Sequence, residues 1–131
     1  MTPELQALAR RAVACKGWRW MPGMLWWKAE TVTADSETGR IEDGSEAILF
    51  HQHPEGEIPD LEDPATLGCL LSLVREAWRN PGITSGLYNP QMGQWAVYDQ
   101  NGDHLLQPME GDAPLFLTEA AALVVALERA P

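Results

Sequence analysis

Apolar residues recur at helical spacing in three stretches of the chain. The most regular stretch covers residues 64–79, where apolar side chains fall at i, i+3, i+4, i+7 and i+11. These side chains are Leu67, Leu70, Leu71, Val74 and Trp78. Asp63 suits the N-cap and Pro64 suits the first helical position, which needs no N–H donor. We therefore predict a helix over about 64–79 that is buried on much of its surface and central to the core.

Two further helices are predicted near the ends of the chain. Residues 3–16 carry a narrow apolar stripe behind the N-cap residue Thr2, and Gly17 ends the pattern. Residues 119–129 follow Thr118, a second N-cap, and form an alanine-rich stripe. Small side chains of this kind allow the last helix to pack closely on a neighbour.

The other apolar stretches favour short strands. Residues 25–32, 40–41 and 47–52 are predicted as strands in the first half, and residues 83–88, 94–99 and 104–107 in the second. The Asn101-Gly102 pair is a strong hairpin signal, whereas prolines and glycines indicate an irregular loop over 53–63. The predicted fold is α+β, a single domain in the order α-βββ-α-βββ-α, with antiparallel strands packed on the helices.

Composition supports one folded domain and excludes several classes of protein. The chain has 131 residues, of which 45% are hydrophobic and 21% are charged. Its two cysteines, Cys15 and Cys69, are too few for a disulfide scaffold or a four-cysteine zinc site. We identify no apolar run of membrane-spanning length and no signal peptide. We therefore expect a cytoplasmic protein without membrane association.

The charge is strongly acidic and unevenly distributed. Nine basic residues oppose nineteen acidic ones, for a net charge of −10, so direct nucleic-acid binding through a basic surface is not expected. Residues 31–63 hold ten of the acidic residues and Arg40 as their one base. This segment is either a solvated surface or an acidic face that docks on a basic partner. The acidic candidates for partner binding are Glu42, Asp43, Glu46, Glu55, Glu57 and Asp60.

Tryptophan is concentrated near the N-terminus. Four of the six tryptophans lie within residues 18–27, and we expect at least two of these four to belong to the core. Trp26 and Trp27 are adjacent, so they cannot both face inward from one strand. One of them is expected to be covered by another element or exposed as an anchor for a partner, a role in which tryptophan is enriched. Both are therefore candidate partner-binding residues.

Known catalytic and metal-binding motifs are missing from the sequence. His51 and His53 would point the same way on a strand, but a metal needs three or four ligands, and neither HExxH nor CxxC is present. Nucleophile-elbow and phosphate-loop motifs are likewise absent. We therefore predict no catalytic residues, no metal and no cofactor, and we do not expect an enzyme.

Two distinctive strings carry a resemblance to a known group of proteins. Residues 14–24 (ACKGWRWMPGM) and residues 61–71 (LEDPATLGCLL), with the closing Thr118-Glu119-Ala120, resemble small uncharacterised acidic proteins encoded by tailed phages and prophages. The resemblance spans most of the chain. It implies a phage setting and the host cytoplasm, and it brings no established chemistry and no functional residues.

Two hypotheses of different kinds follow. The first is a non-enzymatic phage accessory protein that acts by protein–protein interaction with an unknown host or phage protein. In its sharper form the acidic face mimics nucleic acid and inhibits a host nucleic-acid-handling or defence system such as CRISPR. The alternative is a small-ligand-binding module, or a small enzyme, with a pocket under the Trp-rich turn. The oligomeric state stays open, with a homodimer among the options.

Overall fold

Helices and short strands alternate along the chain in a computed structural model that describes residues 2–28, 37–52, 54, 56–89, 91–106 and 116–131. The elements are α1 (Pro3–Ala14), β1 (Leu25–Lys28), β2 (Thr38–Arg40), α2 (Gly44–Gln52), β3 (Glu57–Pro59), α3 (Pro64–Ala77), β4 (Thr84–Asn89), β5 (Gln94–Tyr98) and α4 (Glu119–Glu128). The strands form two antiparallel sheets. The α+β class predicted from the sequence is confirmed.

Each of the three predicted helices begins directly after its predicted N-cap residue. The side chains of Thr2, Asp63 and Thr118 each accept a hydrogen bond from the backbone N–H three residues further on, at 3.2, 3.0 and 3.1 Å. α1 and α3 end two residues before their predicted limits, and α4 ends one residue before. α4 buries six of its ten residues, a larger share than α3.

Corresponding ends of α1, α3 and α4 lie near one another. Residues at their N-terminal ends line one cleft, and residues at their C-terminal ends line another. Near the C-terminal ends, the Arg11 guanidinium of α1 pairs with Glu128 of α4. Beside them, the Trp78 indole at the end of α3 donates to the Ala126 carbonyl at 2.8 Å. An ion pair and a hydrogen bond thus connect α4 to α1 and to α3 near their C-terminal ends.

Residues 44–52 form the helix α2, so the strand predicted over 47–52 is wrong. Asp43 Oδ1 accepts from the Glu46 N–H at 2.9 Å, and Glu46 Oε2 accepts from the Glu42 N–H at 3.3 Å. This reciprocal arrangement resembles a capping box, in which two orphan donors at a helix start are satisfied together. A short continuous apolar run fits a helix or a strand equally well, and here the cap favours the helix.

The first sheet has the order β2-β1-β3. β1 is central, and Trp26 faces Gly39 of β2 on one side and Pro59 of β3 on the other. β3 lies inside the segment predicted as an irregular loop. It forms because a three-residue edge strand tolerates a proline that would break a central strand. Residues 29–32 of the first predicted strand lie outside the described residues.

The second sheet is the predicted hairpin of β4 and β5. The strand predicted over 104–107 is reduced, within the described residues 104–106, to a single bridge between His104 and Tyr98. The chain turns at Gly102, whose φ of +82° suits glycine, and the Leu105 N–H donates to the Val97 carbonyl at 2.9 Å. The order of elements therefore differs from α-βββ-α-βββ-α in both halves.

One buried hydrophobic cluster joins the helices to both sheets. Trp18 and Trp20 belong to it, with exposed fractions of 6% and 5%, which confirms that at least two of the four clustered tryptophans are core residues. Their rings meet edge to face, with centroids 5.4 Å apart. The Trp-rich turn is therefore anchored in the interior.

Gly39 provides a test of the packing in the first sheet. A Cβ added there would lie 2.8 Å from Cζ2 of Trp26, whereas one added at Gly68, in the exposed face of α3, would meet nothing within 4 Å. We expect Gly39→Ala to lower the free energy of unfolding by roughly 1–3 kcal/mol in urea titration. The control Gly68→Ala should raise it by about 0.5–1 kcal/mol, since alanine favours helix. Equal effects of the two substitutions would contradict this packing.

Candidate functional site

α2 turns its larger aliphatic side chains outward. Ala47 is buried and Phe50 is half-buried, so these two residues, three apart, form the inward face of the helix. The Phe50 ring meets Trp20 and Trp26 edge-on, with centroids 5.5 and 5.4 Å away. Ile48 and Leu49 point the other way, and each is 56% exposed. Two aliphatic side chains that are adjacent in the sequence are thus exposed to solvent on a helix that packs against the core through Phe50.

A groove of about 400 Å³ separates α2 from the Trp-rich turn, and we call it the α2 groove. It is lined by Arg19, Trp20, Met21, Pro22, Gly44, Ala47, Ile48, His51 and Gln52. The turn is held in place by backbone bonds from Gly23 to Ile41 and from Ile41 to Met24, each 2.8 Å long. The alternative predicted from the sequence, a ligand pocket under the Trp-rich turn, stays a prediction.

Trp26 and Trp27 occupy opposite faces of β1, and both are partly buried within the chain. The Trp26 indole packs on Gly39, and its buried Nε1 has no hydrogen-bond partner among the described residues. The Trp27 Nε1 donates to Asp60 Oδ2 at 3.1 Å. Neither indole is an exposed anchor, and their part in partner binding stays a prediction.

Several acidic residues of the middle segment are bonded within the chain. The carboxylate of Glu57 lies 3.5 Å from Lys28 Nζ. Asp60 accepts from the Glu62 N–H at 2.9 Å as well as from Trp27. These contacts join β3 and the turn after it to β1. Two of the predicted partner residues, Glu57 and Asp60, therefore support the fold directly.

The acidic residues next to α2 are more accessible. Glu42 and Asp43 are exposed and Glu46 is intermediate, and all three lie at the start of α2. Ile48 and Leu49 follow on the same helix. We call these five residues the α2 surface. Glu55, another of the predicted partner residues, lies outside the described residues.

Among the described residues, Asp63 is the carboxylate with the most strongly shifted pKa. It accepts two hydrogen bonds from the Arg40 guanidinium, at 2.9 and 3.0 Å. It also accepts from the N–H and the hydroxyl of Thr66, at 3.0 and 2.8 Å. The Arg40 bonds and then those from Thr66 lower the pKa of Asp63 from 3.8 to about 2, against the opposing effect of burial. This acid was not among the predicted partner residues, and its bonds hold the fold together.

The cysteines lack the features of a nucleophile. Burial is the main cause that raises the pKa of both the Cys15 and the Cys69 thiols, which favours the unreactive form. Their Sγ atoms donate to the carbonyls of Arg11 and Pro22, at 3.3 and 3.6 Å. These contacts are typical of cysteines that serve packing.

Neither a cluster of metal ligands nor a membrane-spanning helix is present among the described residues. These residues contain no group of three or more His, Cys, Asp or Glu side chains placed to hold a metal ion. His51 ends up exposed on α2 rather than on a strand, and His53 lies outside the described residues. No helix in the described part of the chain has both the length and the apolar character needed to cross a bilayer.

Comparisons with protein-family models, curated proteins and solved structures gave no match. The α2 surface and the α2 groove are the features of this part of the molecule that bear on function.

Substitution of Asp60 and of Glu42 compares an acid that is bonded within the fold with an acid that is exposed on the surface. We expect Asp60→Ala to lower the free energy of unfolding by about 1–2 kcal/mol, because the Trp27 N–H loses a charged acceptor. Glu42→Ala should change it by less than about 0.5 kcal/mol, as for most exposed positions. Urea unfolding of the two variants provides the comparison. A stability loss that is larger for Glu42→Ala than for Asp60→Ala would contradict the assignment.

Proposed function

We propose that this chain is a non-enzymatic interaction protein that docks on a partner protein through the α2 surface. The observation that carries the proposal is the exposure of Ile48 and Leu49 side by side on a capped helix. Ile48 also lines the α2 groove together with Met21 and Pro22, so the apolar area continues beyond the helix. Contiguous apolar surface of this kind, bordered by polar residues, is typical of protein-binding sites.

The charge next to this apolar area indicates the chemistry of the partner. Glu42, Asp43 and Glu46 lie at the start of α2, immediately before the aliphatic pair. An apolar patch with lysine or arginine at its border would complement both features. Opposite charges at the border of an interface mainly speed association, so the association rate should fall as salt concentration rises.

The resemblance to phage-encoded proteins supports an accessory role in the host cytoplasm, with an unknown host or phage protein as the partner. The sharper hypothesis, a nucleic-acid mimic that inhibits a host defence system such as CRISPR, has weaker support. Glu57, Asp60 and Asp63 are bonded within the chain, which leaves fewer carboxylates to imitate a row of phosphates. The α2 surface instead combines apolar contact with a short acidic turn.

A second candidate function is the binding of a small ligand in the α2 groove. The groove brings Trp20 together with the polar side chains of Arg19, His51 and Gln52. An apolar wall with a few polar groups is the usual composition of a ligand site. Leu49 distinguishes the two functions, because it belongs to the α2 surface but does not line the groove.

The experiment compares Leu49→Ser with Leu117→Ser, which removes an 80% exposed leucine from a different part of the chain. Tagged proteins are used for capture from a lysate of the cells that carry the gene, and the affinity for each recovered protein is then measured. We expect one protein to bind the wild type and Leu117→Ser alike, and to bind Leu49→Ser at least roughly tenfold more weakly, as for an interface hot spot.

Two results would contradict the interaction proposal. The first is a partner that binds Leu49→Ser as well as it binds the wild type. The second is the recovery of no protein by the wild type. Urea unfolding of both variants provides the control that neither substitution unfolds the chain.

A further inference from the structure

A second cleft, larger than the α2 groove, is lined by a different set of residues. It has a volume of about 690 Å³ and opens between the N-terminal ends of α1, α3 and α4. We call it the three-helix cleft. Its volume falls within the range of about 300–1,000 Å³ that is typical of small-molecule sites.

The walls of the three-helix cleft are mainly aliphatic. Four leucines line it, two from α1, one from the turn before α3 and one from α3 itself: Leu5, Leu8, Leu61 and Leu67. On the α4 side the lining residues include the small side chains of Ala120 and Ala121, which do not fill the space between the helices. The described residues that line the cleft include no aromatic ring, so the lining suits the aliphatic part of a ligand.

The polar residues of the cleft give it a negative character. Three of them, Glu4, Glu62 and Glu119, are carboxylates, and Arg11 is the one basic residue among the described lining residues. The Arg11 guanidinium already donates to both carboxylate oxygens of Glu128, so its charge is largely offset. The three helix N-termini add a partial positive charge of about half a unit each, which the three carboxylates exceed, so electrostatic complementarity favours a cationic ligand over an anionic one.

From these observations we propose that the three-helix cleft binds a small organic ammonium ion with an aliphatic body. The aliphatic part lies against the leucines, and the ammonium group lies near Glu4 and Glu62. This is a second binding site, independent of the α2 surface. A failure of this proposal would not affect the proposed function, and the reverse also holds.

Three probes of equal chain length separate the charge from the apolar contact. n-Octylammonium, 1-octanol and octanoate are each titrated into the wild-type protein while the methyl signals are followed by NMR. We expect n-octylammonium to give saturable shifts at Leu8, Leu67 and Ala121. Octanoate should bind at least roughly tenfold more weakly, because its carboxylate meets carboxylates, and octanol should fall between them.

Substitutions test the location of the site. Ala7 is an exposed residue of α1 that lines the cleft, so Ala7→Phe should fill it and abolish the shifts. The control Ser72→Phe puts the same ring on an exposed position of α3 outside the cleft lining and should leave binding unchanged. The double substitution of Glu4→Gln and Glu62→Gln should reduce the preference for n-octylammonium over octanoate.

Three outcomes would overturn the proposal. They are the absence of saturable shifts with n-octylammonium, equal binding of n-octylammonium and octanoate, and binding that persists unchanged in Ala7→Phe. A fourth arm uses a basic amphipathic helical peptide of leucine and lysine. If that peptide shifts the cleft methyls and n-octylammonium does not, the site takes a protein segment and the small-ligand proposal is wrong.

Discussion

The carboxylate of Asp63 connects the start of α3 to the first sheet, and the arrangement of the first half of the chain depends on this connection. It caps α3 through the Thr66 N–H and binds the guanidinium of Arg40 at the end of β2. The Thr66 hydroxyl, fully buried, donates to the same carboxylate and accepts from the Leu25 N–H of β1 at 2.9 Å. Asp63 thus binds one strand, β2, and the helix α3 directly, and it is connected to β1 through the Thr66 hydroxyl. A buried hydroxyl without these partners would carry a desolvation cost of about 1–3 kcal/mol.

The proposed interaction surface depends on the same connection. Arg40 also donates to the Gly23 carbonyl at 2.7 Å, which fixes the Trp-rich turn against the sheet. α2 begins four residues after Arg40, so the sheet determines where Ile48 and Leu49 emerge. The acidic residues of the middle segment therefore divide into two groups. Some hold the sheet and α3 together, and those at the start of α2 remain accessible next to the exposed aliphatic pair.

Much of the fold follows from local signals in the sequence. α1, α3 and α4 were predicted because an N-cap residue and an apolar stripe coincide. The helix α2 was missed because residues 47–50 are apolar without a period. Asp43 and Glu46, spaced as in a capping box, were the signal that identifies it. The roles of the acids were not predictable in the same way. The pairing of Asp60 with Trp27 depends on contacts between segments distant in the sequence, which local patterns do not encode.

The most direct test of this account is the pH dependence of unfolding for the wild type and Asp63→Asn. The folded-state pKa of Asp63, about 2, lies below its ordinary value of 3.8, so its contribution to stability is present above about pH 4 and is lost as the pH falls toward 2. Asparagine still caps a helix but cannot form the charged pair with Arg40. Because solvent at the exposed Arg40 guanidinium screens part of the pair's energy, we expect the variant to be less stable by only about 1–2 kcal/mol at pH 7, with a difference that shrinks between pH 4 and pH 2. Equal stability at pH 7, or a difference that stays constant down to pH 2, would contradict this account.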